Sequence, residues 1–259
     1  MRAAVLLCLA LAGVAAYGQS HDQRARQIMA EALGQIRLET ALSVEITGKE
    51  TFGETEIPTY VVLGFQRGLV DSTQTAWLEA RTYRQGVLTH RLAGDGENVW
   101  SWSRRTNDYS SSAYQNLSAS RNDFLSRLVT SSARWTSREA DFAVRFLNDV
   151  FLGTSAQSER WSPWIGVPTA TIVEEAELAC TISMEQSAQN TWLRYDLQRT
   201  EVGLPWELTS VRYYRSQIVN KKTEVFEWTA SILPGVVPED VSFAFLPPAG
   251  AKPRASGGL

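Results

Sequence analysis

From Leu42 to Ser103, and again from Thr169 to Leu246, the chain alternates apolar and polar residues with a period of two, run after run, and this pattern limits the fold more than any other feature. In an extended strand residues i and i+2 share a face, so Leu42, Val44 and Ile46 oppose Ser43, Glu45 and Thr47. Similar runs cover 60–66, 76–83, 87–92 and 99–103, the last with Trp100 and Trp102 on one face. Short turn signals separate them: Phe52–Glu56, Gly68–Thr73, Gln85-Gly86 and Gly94-Asp95-Gly96. A second set follows at 169–173, 178–185, 191–199, 204–215, 223–233 and 241–246. There Leu193, Tyr195 and Leu197 alternate with Arg194 and Asp196, Trp206 and Leu208 with Glu207 and Thr209, and Phe226 and Trp228 with Glu227 and Thr229.

Helical spacing appears in three places. Ala25, Ile28, Met29, Ala32, Leu33 and Ile36 form a stripe within 22–37, with Arg24, Arg26, Glu31 and Arg37 elsewhere on the circumference. Phe124, Leu125, Leu128 and Val129 recur helically within 123–130. Thr136 and Glu139 match a capping box ahead of a stripe from Ala140 to Phe151 that ends at Gly153. Residues 107–120 are rich in Ser, Asn and Tyr and are expected to be loop, as are the Trp- and Pro-containing residues 155–168. The expected fold is mainly β (α+β): a single curled antiparallel sheet of about eleven strands forming a half-open barrel. The N-terminal helix and two mid-chain helices cover its concave face.

The first residues resemble a secretion signal. Met1-Arg2 supplies the positive start, Ala3–Ala12 the apolar core, and Ala16-Tyr17-Gly18 a small-x-small cleavage site. The expected organisation is a signal peptide at 1–18, one domain at 19–251 and a flexible tail at 252–259. The apolar core is too short for a membrane span and no later run of about 18 apolar residues exists. Cys8 lies in the signal, so Cys180 is alone in the exported chain and no intrachain disulfide is expected; its strand context points to a buried, inert thiol. Arg2 is the only charge in the signal, leaving 28 acidic residues against 24 basic ones. No basic stripe is present, and nucleic-acid binding is disfavoured.

No catalytic set emerges. Of the two histidines, His21 is near the N-terminus and His90 stands in the fourth strand run beside Arg91. There is no G-x-S-x-G elbow, HExxH, CxxC or glycine-rich phosphate loop, so no cofactor and no metal are expected. Gly94-Asp95-Gly96 lacks the later acidic ligands of a calcium loop and is expected to be a turn. Paired carboxylates with stacking tryptophans would suit glycoside hydrolysis. Most acids here, however, alternate with apolar residues as solvent-facing positions do. Asn116-Leu-Ser118 is a glycosylation sequon that matters only in a eukaryotic secretory pathway.

Three segments carry a family resemblance. Ala93-Gly-Asp-Gly-Glu-Asn-Val-Trp-Ser-Trp102 looks like the "DG-x-x-(V/L)-W-x-Y" strand entry of the LolA/LolB-like superfamily of bacterial lipoprotein-localisation proteins. Phe243-Ala-Phe-Leu-Pro-Pro-Ala-Gly-Ala251 is similar to its closing "F-x-F-x-x-P-x-G" segment, and Trp192–Leu208 to a strand pair ending in "G-L-P-x-x-L". The resemblance spans most of 22–251 and implies a half-open barrel whose concave side holds an acyl chain or other lipid, in a periplasmic, non-catalytic carrier. The chain differs by an insertion near Ser155–Pro168 and by lacking a counterpart of the arginine associated with lid closure. The expectation is therefore broader: an exported protein that binds a lipid or lipoprotein, or a sensor or assembly protein that binds an envelope partner. Candidate ligand contacts are Trp100, Trp102, Phe124, Leu128, Trp206, Phe226 and Trp228. Each of these aromatics has a competing role as plain core.

Overall fold

The stripe Ala25, Ile28, Met29, Ala32, Leu33, Ile36 folds as the buried side of one helix, α1 (residues 22–36), with none of the six more than 7 % exposed. The computed structural model describes residues 22–36, 38–70, 73–113, 169–186 and 190–254. The predicted signal, the two mid-chain helices, the Ser155–Pro168 insertion and the sequon lie outside the described residues. No helix among the described residues is long and apolar enough to cross a membrane.

The alternating runs form one open sheet of 12 strands. In chain order these are β1 (Ala41–Phe52), β2 (Thr55–Val70), β3 (Thr73–Arg84), β4 (Val87–Asp95), β5 (Asn98–Ser103) and β6 (Asp108–Ala113). They continue with β7 (Thr169–Glu175), β8 (Ala179–Gln186), β9 (Thr191–Gln198), β10 (Glu207–Val219), β11 (Lys222–Pro234) and β12 (Lys252–Pro253). Spatially the order is β12-β6-β5-β4-β3-β2-β1-β11-β10-β9-β8-β7. Two antiparallel meanders are thus joined where β1 pairs with β11, Val44 opposite Ile232 and Ile46 opposite Ala230. The tight turns meet their backbone demands locally. Gln85-Gly86 and Asn220-Lys221 have positive φ at both central residues, the hairpin geometry that matches strand twist. Asp95 Oδ1 accepts from the backbone N–H of Glu97 (2.9 Å) and Asn98 (2.6 Å), and the chain turns at Gly96-Glu97, so of the expected Gly94-Asp95-Gly96 turn the first two residues belong instead to β4.

One face, the helix face, carries Leu42, Val44, Ile46, Val61, Leu63, Phe65, Leu78, Ala80 and Leu92 from the first meander. From the second it carries Ile182, Leu193, Tyr195, Leu197, Val211 and Ala230, and α1 packs into the same continuous core. The start of α1 is tied to β7 by the Arg24–Glu175 ion pair and by Asp22 Oδ1 accepting from Ala170 N at 2.8 Å. Its end feeds directly into β1. A helix of 15 residues is about 22 Å long. The six strands from β7 to β1 span about 24 Å at about 4.8 Å each. The helix is therefore matched to the second meander, while the apolar floor runs on across β2 to β5.

Four further expectations are corrected. Residues 107–120 were expected to be loop, yet 108–113 form β6: sheet pairing, including a Ser101–Ser110 hydroxyl contact of 2.8 Å, overrides the weak strand preference of Asp-Tyr-Ser-Ser-Ser-Ala. The turn expected at Gly68–Thr73 is shorter, because β2 runs to Val70 and β3 starts at Thr73. Residues 241–246 are not a strand. They belong to a strap, residues 235–254, that crosses the other, outer face and has Phe243 in the left-handed region at φ 54°. The strap ends in order, with β12 parallel to β6 and Arg254 bidentate on Asp108 (3.1 and 3.0 Å), so the flexible tail expected from 252 does not begin there.

Candidate functional site

Past Ile46 the helix-face register of β1 runs on through Gly48, Glu50 and Phe52. Gly48 lies between Thr59 of β2 and Trp228 of β11. A Cβ there would overlap Trp228 Cβ and come within 2.6 Å of Glu227 O, so only glycine leaves the indole its place. Trp228 stacks on Tyr213 of β10, with centroids 4.9 Å apart and planes 16° from parallel. Phe226 meets Phe52 edge-on at 5.9 Å and 85°. Together they make an aromatic floor continuing the apolar core.

A polar group borders this floor on β1 to β4. Glu50, 5 % exposed, is ion-paired with Arg84. Thr59 lies opposite Arg84, and Thr82 lies between Val61 and His90. The β3–β4 ladder shifts register just after Thr82, a bulge that re-aims the side chains around it. Thr89 Oγ1 donates to Thr82 O (3.1 Å) and lies 3.1 Å from His90 Nδ1. Burial, then the positive charges of Arg84 and Arg105, hold the His90 imidazole below its ordinary pKa, favouring the neutral ring.

The candidate ligand contacts read from sequence do not share one face. Phe226 and Trp228 are on the helix face, 3 % and 4 % exposed. Trp206 is also in that core, at 5 % exposure, with the Arg199 guanidinium 4.3 Å from its ring. Trp100 and Trp102 pair across β4 with Ala93 and Arg91 and therefore face the other way. The chain itself covers Trp100: Phe245 of the strap stacks on it at 5.3 Å and 5°. Trp102 is 6 % exposed, its Nε1 donating to Asn107 Oδ1 at 3.2 Å. Phe124 and Leu128 lie outside the described residues. Alternation showed that each tryptophan pair shares a face but carried no register between strands 120 residues apart. Sequence reasoning missed Phe52, Tyr213, Gly48 and Glu50. For Phe52, Gly48 and Glu50 the signal is present, since they continue the Leu42-Val44-Ile46 phase.

No protein-family model matches the chain, and no curated protein does. Among solved structures, a DUF1329 family protein from Desulfovibrio piger is similar at 9 % identity and a TM-score of 0.34, covering 86 % of this chain and 97 % of that one. LprF from Mycobacterium bovis is similar at 11 % identity and a TM-score of 0.34, covering 85 % and 98 %. Scores of that size leave the fold to be described by its own strand order and the function by its own residues.

Proposed function

We propose that the protein is an exported, non-catalytic component of the bacterial envelope that binds the acyl chain of a lipid or lipoprotein on its helix face. The observation that supports this reading most is the aromatic floor of Phe52, Tyr213, Phe226 and Trp228, built against Gly48, where the lack of a side chain leaves the Trp228 indole its place. It lies on an open sheet whose apolar face extends beyond the strands that α1 matches in length. A flat, non-directional apolar surface suits an acyl chain, which offers area and few hydrogen-bonding groups. The family resemblance of the strand-entry and closing segments points the same way.

The test is mass spectrometry of organic extracts of the purified protein, together with titration of a fluorescent fatty acid. Co-purified acyl species and saturable binding are expected. Trp228→Ala is expected to weaken binding by at least ~1 kcal/mol. Because the same truncation removes about 3–5 kcal/mol of core stability, unfolding is followed in parallel. A folded wild type that binds no apolar probe would refute the reading.

A second reading, an envelope sensor or assembly protein that binds a protein partner, has its own support on the outer face of the second meander. There Trp192 stacks on Tyr214 at 5.5 Å and 11°, with the Arg194 guanidinium 4.6 Å from the Trp192 ring. Trp, Tyr and Arg are the residue types that anchor protein interfaces. A lipid-free protein that captures a defined envelope partner through Trp192 would favour it.

A further inference from the structure

Resting on the lipid-binding reading, we propose that Thr59, Thr82 and Arg84 form a headgroup subsite for one anion, the carboxylate or phosphate of an amphiphile whose chain lies along Phe226 and Trp228. Thr59 is 4 % exposed and Thr82 is 0 % exposed, and the Oγ1 atom of each is buried without a hydrogen-bond partner. Buried hydroxyls are nearly always satisfied, and leaving two unmade on one face costs stability that a bound acceptor returns. They are not scattered. Register puts Thr59 beside Arg84, and Thr82 two pairs further along the same two strands and so on the same face, a diagonal separation of about 7–8 Å. A carboxylate or phosphate with its several acceptor oxygens suits such a pair of donors beside a guanidinium.

The charges agree. Arg84, opposite Thr59 and paired with Glu50, offers the guanidinium, and Arg105 on the exposed turn after β5 adds a positive charge felt at His90. His90, on the adjacent strand, is held toward its neutral form first by burial and then by both arginines. The aromatic floor begins one strand away: Gly48, the neighbour of Thr59, is also the neighbour of Trp228. A polar head between β2 and β4 and a chain running toward β11 and β10 thus fit one amphiphile.

The experiment uses the purified full chain and four probes: cis-parinaric acid, its methyl ester, a lysophosphatidate and inorganic phosphate. The acid and the lysophosphatidate are each expected to bind about tenfold or more tighter than the uncharged ester, the size of one or two hydrogen bonds to a charged group. Thr82→Val and Thr59→Val are each expected to remove most of that preference and leave ester affinity unchanged. Thr82→Val is also expected to raise the unfolding midpoint, because it deletes an unsatisfied hydroxyl; a hydroxyl with a purely structural role would lower it. Equal affinity of wild type for acid and ester, or a preference that survives in both folded variants, overturns the subsite but leaves the lipid-binding reading standing. Inorganic phosphate protecting against thermal unfolding as well as lysophosphatidate overturns the assignment to an amphiphile. Absence of binding by all the acyl probes overturns both.

Discussion

Gly48 and Cys180 show how single positions are set by what lies across the strand. At Gly48 the missing side chain is what admits Trp228 to its stack on Tyr213. Gly48→Ala is expected to destabilise by about 1–3 kcal/mol through overpacking, read as a lowered urea midpoint with unchanged m-value. Cys180 is 2 % exposed, and burial, followed by the Glu175 carboxylate, pushes its thiol up to about 11. It is expected to resist a disulfide-exchange reagent at pH 7.5 in the native state and to react fully in denaturant; rapid native labelling would contradict its burial. The inert buried thiol was legible from sequence. The buried acids were not. Glu50 and Glu79 both sit within alternating strands, and alternation alone does not tell a solvated carboxylate from one enclosed with arginines.

At the scale of elements, the strap is the least anticipated feature. Glu79, 1 % exposed on the outer face of β3, holds it through both oxygens. Oε1 accepts from Arg91 Nε at 2.8 Å, with Arg81 Nε 3.6 Å away, and Oε2 accepts from Ser242 N at 3.1 Å. Arg91 in turn donates to Ala244 O at 2.8 Å, and Arg81 reaches Asp240 at 2.7 Å. Burial opposes the charge on Arg81, but the Asp240 hydrogen bond and the Glu79 carboxylate together raise its pKa. Gly64 gives the strap its close approach, since a Cβ there would lie 3.0 Å from Val241. Removing one partner of such a buried network costs about 3–5 kcal/mol. Glu79→Ala is therefore expected to destabilise by about that amount and to loosen the strap first. The check is limited proteolysis between 236 and 254 and a red shift of Trp fluorescence as Phe245 leaves Trp100. A variant cleaved no faster than wild type would show that the strap is held by other contacts.

Across the whole molecule, stability is expected to fall in two steps on acidification. The folded pKa of His90 lies below its ordinary 6.5, so the unfolded chain binds that proton more readily. The associated stability is complete above about pH 6.5 and is lost as the pH falls through the folded value. Asp196 lies below its ordinary 3.8: burial opposes this, but hydrogen bonds from Arg212, Ser210 and Thr181 outweigh it. Asp108 is lowered chiefly by Arg254, and Asp22 by Arg26 and Ala170 N against burial. Their stability is present above about pH 4 and lost below it. Urea midpoints from pH 7.5 to 3 are expected to show both steps, and His90→Ala only the lower one. An upper step that persists in His90→Ala would assign it to another group.

Whatever depends on neighbours along the chain was readable in advance: the stripe of α1, the period-two strands, and the turn at Gln85-Gly86. The reason is that strand and helix periods are properties of consecutive residues. The pairing of β1 with β11, nearly 200 residues apart, was not readable, nor was the strand identity of Ser-rich β6, because both depend on a partner that the local sequence does not name. The candidate site divides along the same line. Trp228 and Phe226 were found as a same-face pair, but their separation from Trp100 and Trp102 follows from register summed over six strands, where one residue of slip would reverse the face. The segment 241–246 alternates like a strand and lies instead across the outer face. Only the folded sheet supplies the Glu79 carboxylate, the Gly64 gap and the Trp100 ring that hold it there.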